Sequence, residues 1–177
     1  MKPYEQQLEI AQVLIDEIPD LGQIAIDLSD KLDSLPSNIR LNDQQVNLIY
    51  SIGYSIFQQG KLEEARSIFQ LLLLYKPTDR KILDAFSICC KRIGDFENAS
   101  VCFMLLFLLD PSELRHAQQF AECLVAMGQT DIAEKAIDVI MSSIESGAYT
   151  DELVLARAQI LKSMISVEND IQRTRLQ

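Results

Sequence analysis

The chain has 177 residues, of which 48% are hydrophobic, and a formal net charge of −10. This length suits one domain or one continuous solenoid with a sizeable core, and the acidic balance argues against nucleic-acid binding, which needs a basic face. The first 15 residues lack the pattern of a secretory leader, and the longest apolar runs fall far short of the roughly 20 residues of a membrane span.

The first 41 residues are expected to form an N-terminal helical region. Apolar residues at near-helical spacing predict one helix over 4–18, which Pro19 ends, and a second helix over 21–35. The apolar faces of these helices exceed what one neighbouring helix can cover. This excess suggests a homodimer through the N-terminal helices.

Residues 42–147 repeat one pattern three times with an offset of 34 residues. In each copy a glycine is followed five residues later by an alanine, and then by larger apolar residues. The three sets are Gly60, Ala65, Phe69 and Leu72; Gly94, Ala99, Phe103 and Leu106; and Gly128, Ala133, Ile137 and Ile140. This period and order are typical of the tetratricopeptide repeat, in which each copy is a helix A, a glycine turn and a helix B.

The repeat predicts an all-α fold, a tetratricopeptide-repeat helical solenoid of three helix pairs. The copies span about 46–79, 80–113 and 114–147. Asn42 and Gln45 have the spacing of a capping box at the start of the first helix A. The glycines admit a left-handed turn after helix A, and the small alanines let helix B cross helix A closely.

Residues 148–177 are expected to form a C-terminal capping helix and a polar tail. The helix carries five apolar residues on one side, which we expect to cover the end of the last repeat. These residues are Leu153, Ala156, Ile160, Met164 and Val167.

No residue pattern in the chain indicates chemistry, so we expect neither an enzyme nor a bound cofactor or metal. His116 is the single histidine, and its position in a repeat helix favours a surface or packing role. The four cysteines lack C-x-x-C spacing and fall on predicted helices, as reduced core thiols of a cytosolic protein would. They are Cys89, Cys90, Cys102 and Cys123.

The concave face of a tetratricopeptide array is a groove that binds peptides. Helix A lines this groove mainly through its positions 2, 5, 9 and 12, which gives twelve candidate peptide-binding residues. They are Asn47, Tyr50, Tyr54 and Phe57; Lys81, Asp84, Ile88 and Lys91; and Arg115, Gln118, Glu122 and Val125.

Three of these candidates are aromatic and lie at i, i+4 and i+7 on one helix face: Tyr50, Tyr54 and Phe57. One interpretation is a set of aromatic-walled pockets for an extended apolar peptide. The other is ordinary packing of this helix against residues 20–40. The second repeat adds mixed charge, with Arg92 beside Lys91.

Residues 45–142 resemble the class II type III secretion chaperones, of the LcrH/SycD type. The matching stretches are Tyr50 to Tyr54, Gln59 to Ala65, Phe69-Gln70, Ala121 to Leu124, Gly128 and Ala133-Glu134. The resemblance implies a bacterial cytosolic chaperone that keeps hydrophobic translocator proteins soluble before secretion. It also implies that an extended translocator segment lies in the groove against the three aromatic residues. The departures are a longer N-terminal region and the charged residues of the second repeat.

A general tetratricopeptide adaptor, which binds an extended peptide of another bacterial assembly, stays open as an alternative. The carboxylate clamp of Hsp70/Hsp90 co-chaperones does not fit, because it needs lysine, arginine and asparagine at five helix A positions. Those positions hold Tyr50, Tyr54, Ala85, Arg115 and Gln119.

Overall fold

The computed structural model describes residues 41–145 and 151–175. Within these ranges it contains seven α-helices and no strand, so the predicted all-α fold is confirmed. The helices are α1 (Asp43–Gln58), α2 (Leu62–Tyr75), α3 (Arg80–Ile93), α4 (Phe96–Leu109), α5 (Leu114–Ala126), α6 (Thr130–Glu145) and α7 (Glu152–Arg175). The predicted N-terminal helices, and with them the predicted dimer contact, lie outside the described residues.

Polar side chains fix where the helices begin. The Asn42 amide donates to Oε1 of Gln45, and the Gln45 amide donates to Oδ1 of Asn42, both over 2.9 Å. This reciprocal pair confirms the predicted capping box at α1. At α3, Oδ1 of Asp79 accepts from the amides of Lys81 and Ile82, at 3.0 and 3.2 Å. Each cap satisfies amides that have no partner inside the helix.

The glycines that mark the repeat end helix A as predicted. All three have positive φ, and a Cβ on any of them would meet no heavy atom within 4 Å. They are Gly60 (φ 79°), Gly94 (φ 94°) and Gly128 (φ 74°). Gly53 differs, because a Cβ there would lie 2.9 Å from Cγ2 of Ile68 and 3.0 Å from Cε1 of Phe69. The turn glycines therefore serve backbone conformation, whereas Gly53 serves close packing of α1 on α2.

The described residues form two compact units, one of residues 41–102 and one of residues 103–145 and 151–175. In the first unit α2 packs between α1 and α3. Its core is built from apolar side chains of α2 and α3 and the start of α4: Ala65, Phe69, Leu72, Ile82, Leu83, Phe86, Cys89, Cys90 and Ala99. Ala65 and Ala99 are completely buried, in agreement with close helix crossings at these positions.

In the second unit α5, α6 and α7 contact one another. Its core includes Phe103, Leu106, Phe107, Leu114, Phe120, Ala133, Ile137 and Ile140. Ala133 is completely buried, like its counterparts in the other two repeats. The 34-residue register therefore places the same small residue at the same kind of contact three times.

The packing face of α7 differs from the prediction. The side chains that α7 buries are Val154, Ala158, Leu161 and Ile165. The five residues predicted to pack are instead exposed. Four of them are between 53% and 62% exposed, namely Leu153, Ile160, Met164 and Val167, and the fifth is Ala156. The prediction was wrong because α7 has two apolar sides, and spacing alone does not tell which one meets the rest of the protein.

The four cysteines are buried and reduced, as expected. Burial raises the pKa of the Cys89 thiol to about 11 and that of the Cys90 and Cys102 thiols to about 12. The Asp95 carboxylate adds to the shift at Cys90 and Cys102. These side chains therefore act as small apolar residues and not as nucleophiles at neutral pH.

Candidate functional site

Three aromatic side chains form a continuous row along α1. The ring centroids of Tyr50 and Tyr54 are 6.3 Å apart with an interplanar angle of 17°, and those of Tyr54 and Phe57 are 6.1 Å apart at 29°. Their spacing of four and three residues places them on one helix face. The structure thus brings together the three residues that the sequence singled out, which we call the aromatic row.

The aromatic row is anchored in the core at one end. The Tyr50 ring lies on Phe69 of α2, with centroids 5.6 Å apart at 48°, and Phe69 is completely buried. Tyr50 and Phe57 are half-buried, whereas 45% of Tyr54 is exposed. Contact with the core therefore holds the row in place at Tyr50, and the middle ring, Tyr54, presents an accessible apolar surface.

Burial raises the pKa of the Tyr50 hydroxyl, and the negative charge of Asp84 on α3 raises it further. Tyr54 and Asp79 add smaller effects in the same direction. The Tyr50 hydroxyl therefore stays protonated at neutral pH and can donate a hydrogen bond. Its end of the row carries a nearby negative charge.

The other end of the aromatic row meets a cation. The guanidinium carbon of Arg92 lies 5.1 Å from the centroid of the Phe57 ring, within the range of a cation–π contact. Arg92 was not among the twelve predicted residues. Its position four residues after Ile88, on the same face of α3, was the signal that could have found it.

The remaining predicted residues of this unit surround the row unevenly. Asn47 and Lys81 are exposed, whereas Asp84, Ile88 and Lys91 are half-buried. The Asn47 carbonyl accepts a hydrogen bond from the Ser51 hydroxyl at 2.9 Å. Asn47 would therefore contact a ligand through its side chain rather than through this carbonyl. Helices α1 and α3 are in contact, and α3 brings a carboxylate, that of Asp84, near Tyr50 and a guanidinium, that of Arg92, over Phe57.

The third predicted set, on α5, has a different environment. Gln118 is only 2% exposed, and its amide donates to Oε1 of Glu122 at 2.7 Å. Nη1 of Arg157, on α7, lies 3.7 Å from the same oxygen. These side chains form a polar contact beside α7.

The two outer residues of the α5 set are more open. Arg115 is exposed and pairs with Glu113, with two nitrogen–oxygen distances of 2.9 Å. Val125 is half-buried. A guanidinium that already holds a carboxylate in a bidentate pair has fewer donors left for a ligand.

Solved structures similar to this chain include type III secretion chaperones. PcrH from Pseudomonas aeruginosa is 25% identical with a TM-score of 0.60, over 75% of this chain and 99% of PcrH. PcrH in complex with the chaperone-binding region of PopB is 26% identical with a TM-score of 0.58, over 70% and 99%. The Yersinia enterocolitica type III secretion chaperone SycD, in complex with a peptide of the translocator YopD, is 22% identical with a TM-score of 0.61, over 72% and 97%.

No protein-family model and no curated protein sequence matches the chain. The first tetratricopeptide domain of Spaghetti, bound to an Hsp90 peptide, has a TM-score of 0.58 at 15% identity. Among the described helices, none has both the length and the hydropathy needed to cross a bilayer. The comparisons confirm the tetratricopeptide fold. They also confirm that the proteins this chain resembles are the type III secretion chaperones of the PcrH and SycD kind.

Proposed function

We propose that this protein is a chaperone that binds an extended segment of a hydrophobic type III secretion translocator and keeps the translocator soluble before secretion. The aromatic row is the observation that carries the proposal. The row presents one exposed ring, Tyr54, between two half-buried rings, and the chain is 26% identical to PcrH, whose structure contains the chaperone-binding region of PopB.

The aromatic row suits a short apolar segment. Stacked rings offer flat walls on which proline and leucine side chains can pack, with a large contact area at small entropic cost. Tyr50 is fixed on Phe69, and Phe57 is fixed under Arg92, so the walls exist before a ligand arrives. A preformed surface loses less conformational entropy on binding. We place Asn47 and the α3 residues Lys81, Asp84, Ile88 and Lys91 at the margins of this site.

The proposal includes no catalytic step, because the described chemistry is that of a binding surface. The action is stoichiometric, takes place in the cytoplasm and benefits from the net charge of −10, which keeps a complex with an apolar partner soluble. Residues 42–147 form the repeat array, and 148–177 form the C-terminal cap and tail.

We also assign a homodimer contact to residues 1–41. Deleting residues 1–35 should shift the mass measured by light scattering toward the monomer and leave the helical content of the repeats largely intact. An unchanged mass would remove the N-terminal dimer from the proposal.

Co-expression with a translocator tests the proposed function. The translocator should stay in the soluble fraction with the parent chain and fall into the insoluble fraction with Tyr54→Ala. Leu48→Ala is the matched control, because Leu48 is 64% exposed but lies on the opposite face of α1.

A translocator that is equally insoluble with and without the parent chain would contradict the proposal. In that case a general tetratricopeptide adaptor, with a soluble partner from another bacterial assembly, becomes the better account. If the translocator is equally soluble with Tyr54→Ala and with Leu48→Ala, the aromatic row is not the surface that binds it.

A further inference from the structure

One end of the aromatic row is cationic although the chain as a whole is strongly acidic. Arg92 lies over Phe57, and Lys91 precedes it at the end of α3. Lys81 is on the same face of α3 but eleven residues before Arg92, a separation of about 16 Å along a helix. The other end of the row lies near Asp84, whose charge acts on Tyr50. The row thus has the Asp84 carboxylate near its Tyr50 end and the Arg92 guanidinium at its Phe57 end.

The environment of Arg92 differs from that of other arginines. Arg66 pairs with Asp95 at 3.1 Å, Arg115 pairs with Glu113 at 2.9 Å, and Arg157 lies 3.7 Å from Glu122. Among the described residues no carboxylate lies within ion-pairing distance of Arg92, whose contact is the Phe57 ring.

A guanidinium that lies over a ring without holding a carboxylate keeps its N–H donors available. These donors form a planar fork that matches a carboxylate. The contact with Phe57 limits the orientations of this fork before a ligand arrives. Arg92 is therefore a preoriented donor group beside an apolar surface.

We propose that Arg92 selects the bound segment by pairing with an aspartate or glutamate two positions from the apolar side chain that packs on Tyr54 and Phe57. This inference rests on the proposed function and names the chemistry of the segment. In an extended peptide, side chains two residues apart point the same way and are about 6–7 Å apart. The guanidinium carbon lies 5.1 Å from the centroid of the Phe57 ring, so it is within reach of a carboxylate two positions from a side chain that packs on this ring.

The charge distribution also sets the direction of the segment. An acidic side chain at the Phe57 end meets Arg92, whereas at the Tyr50 end it meets Asp84. The overall charge of −10 disfavours every acidic peptide to a similar extent. A preference for an acidic residue can therefore come only from a local group such as Arg92.

Short labelled peptides with one leucine anchor test the inference on the full-length chain. One pair of peptides carries Asp or Asn two positions after the leucine, and a second pair carries Asp or Asn two positions before it. In one of the two pairs the Asp peptide should bind the parent chain about tenfold more tightly than its Asn counterpart, as a charge-assisted hydrogen bond would allow. In the other pair Asp should give no such advantage, because its carboxylate faces Asp84.

Substitutions assign the preference to one side chain. Arg92→Gln should abolish the preference for Asp while leucine-dependent binding persists, and Arg92→Lys should keep part of it, because the charge remains and the planar fork is lost. Lys162→Gln is the matched control and should leave the preference unchanged, since it removes an exposed cation of α7 that is not among the candidate peptide-binding residues. Thermal melts should show that all three variants are folded.

Equal affinity of the parent chain for the Asp and Asn peptides of both pairs would overturn the inference, as would a preference that survives Arg92→Gln. In both cases leucine-dependent binding would still support the proposed function. If replacing the leucine with serine does not weaken binding, the proposed function fails as well.

Discussion

Helices α1 and α5 hold equivalent places in the 34-residue repeat but present different chemistry. On α1 the central position is Tyr54, which is 45% exposed. On α5 the equivalent position is Glu122, which bonds to the buried Gln118. The repeat position alone therefore decides which side of the helix a residue occupies, but not whether that residue is available to a ligand.

The arginine beside each helix makes the difference clearer. Arg92 of α3 packs on Phe57 of α1, and Arg157 of α7 lies near Glu122 of α5. The ring leaves the donors of its arginine available, whereas the carboxylate neutralises part of its arginine. The first contact thus forms a surface that can bind a ligand, and the second joins two helices of one unit.

Truncating the ring below the aromatic row should have the largest effect on stability. Phe69→Ala removes a completely buried ring and should lower the free energy of unfolding by about 3–5 kcal/mol. Urea unfolding measures this loss. Tyr54→Ala removes an exposed ring of the aromatic row and serves as the comparison; it should lower the free energy of unfolding far less. Equal losses would mean that the row belongs to the core.

The two apolar sides of α7 should respond differently to the same kind of change. Leu161→Ala removes a buried side chain and should cost about 2–5 kcal/mol. Ile160→Ala removes a neighbour that is 57% exposed and should cost much less. Thermal melts of both variants show which side of α7 packs on the protein. A larger loss from Ile160→Ala would restore the packing face predicted from the sequence.

Enlarging a repeat alanine should overpack a helix crossing. Ala99→Leu inserts volume at a completely buried position and should cost about 1–3 kcal/mol. Ala156→Leu makes the same change at an exposed position of α7 and serves as the control. If urea melts show Ala99→Leu to be as stable as the parent, the 34-residue register is misplaced.

Alkaline pH should weaken the fold gradually. The pKa of Cys102 is raised from its ordinary 9.0 to about 12 in the folded chain, mainly by burial. The unfolded chain therefore loses this proton first, so stability is full below pH 9 and falls as the pH rises toward 12. Urea melts against pH measure the slope, and Cys102→Ala should make it less steep. An unchanged slope would assign the effect to other groups.

The local parts of this structure could be predicted from the sequence. The turn glycines, the capping box at Asn42 and the aromatic row follow from spacing within one helix pair. The position of Arg92 over Phe57 could not be predicted in the same way, because the two residues come from different repeats. The packing face of α7 was also ambiguous, since both of its sides are apolar and only tertiary contacts choose between them.

The most direct test of the account measures peptide affinity and melting side by side for Tyr54→Ala. The central claim is that the aromatic row binds a ligand and contributes little to the core. We predict a ten- to hundredfold loss of affinity for a translocator segment, roughly 1–3 kcal/mol, with a melt close to that of the parent chain. A collapsed melt, or an unchanged affinity with a normal melt, would contradict the claim.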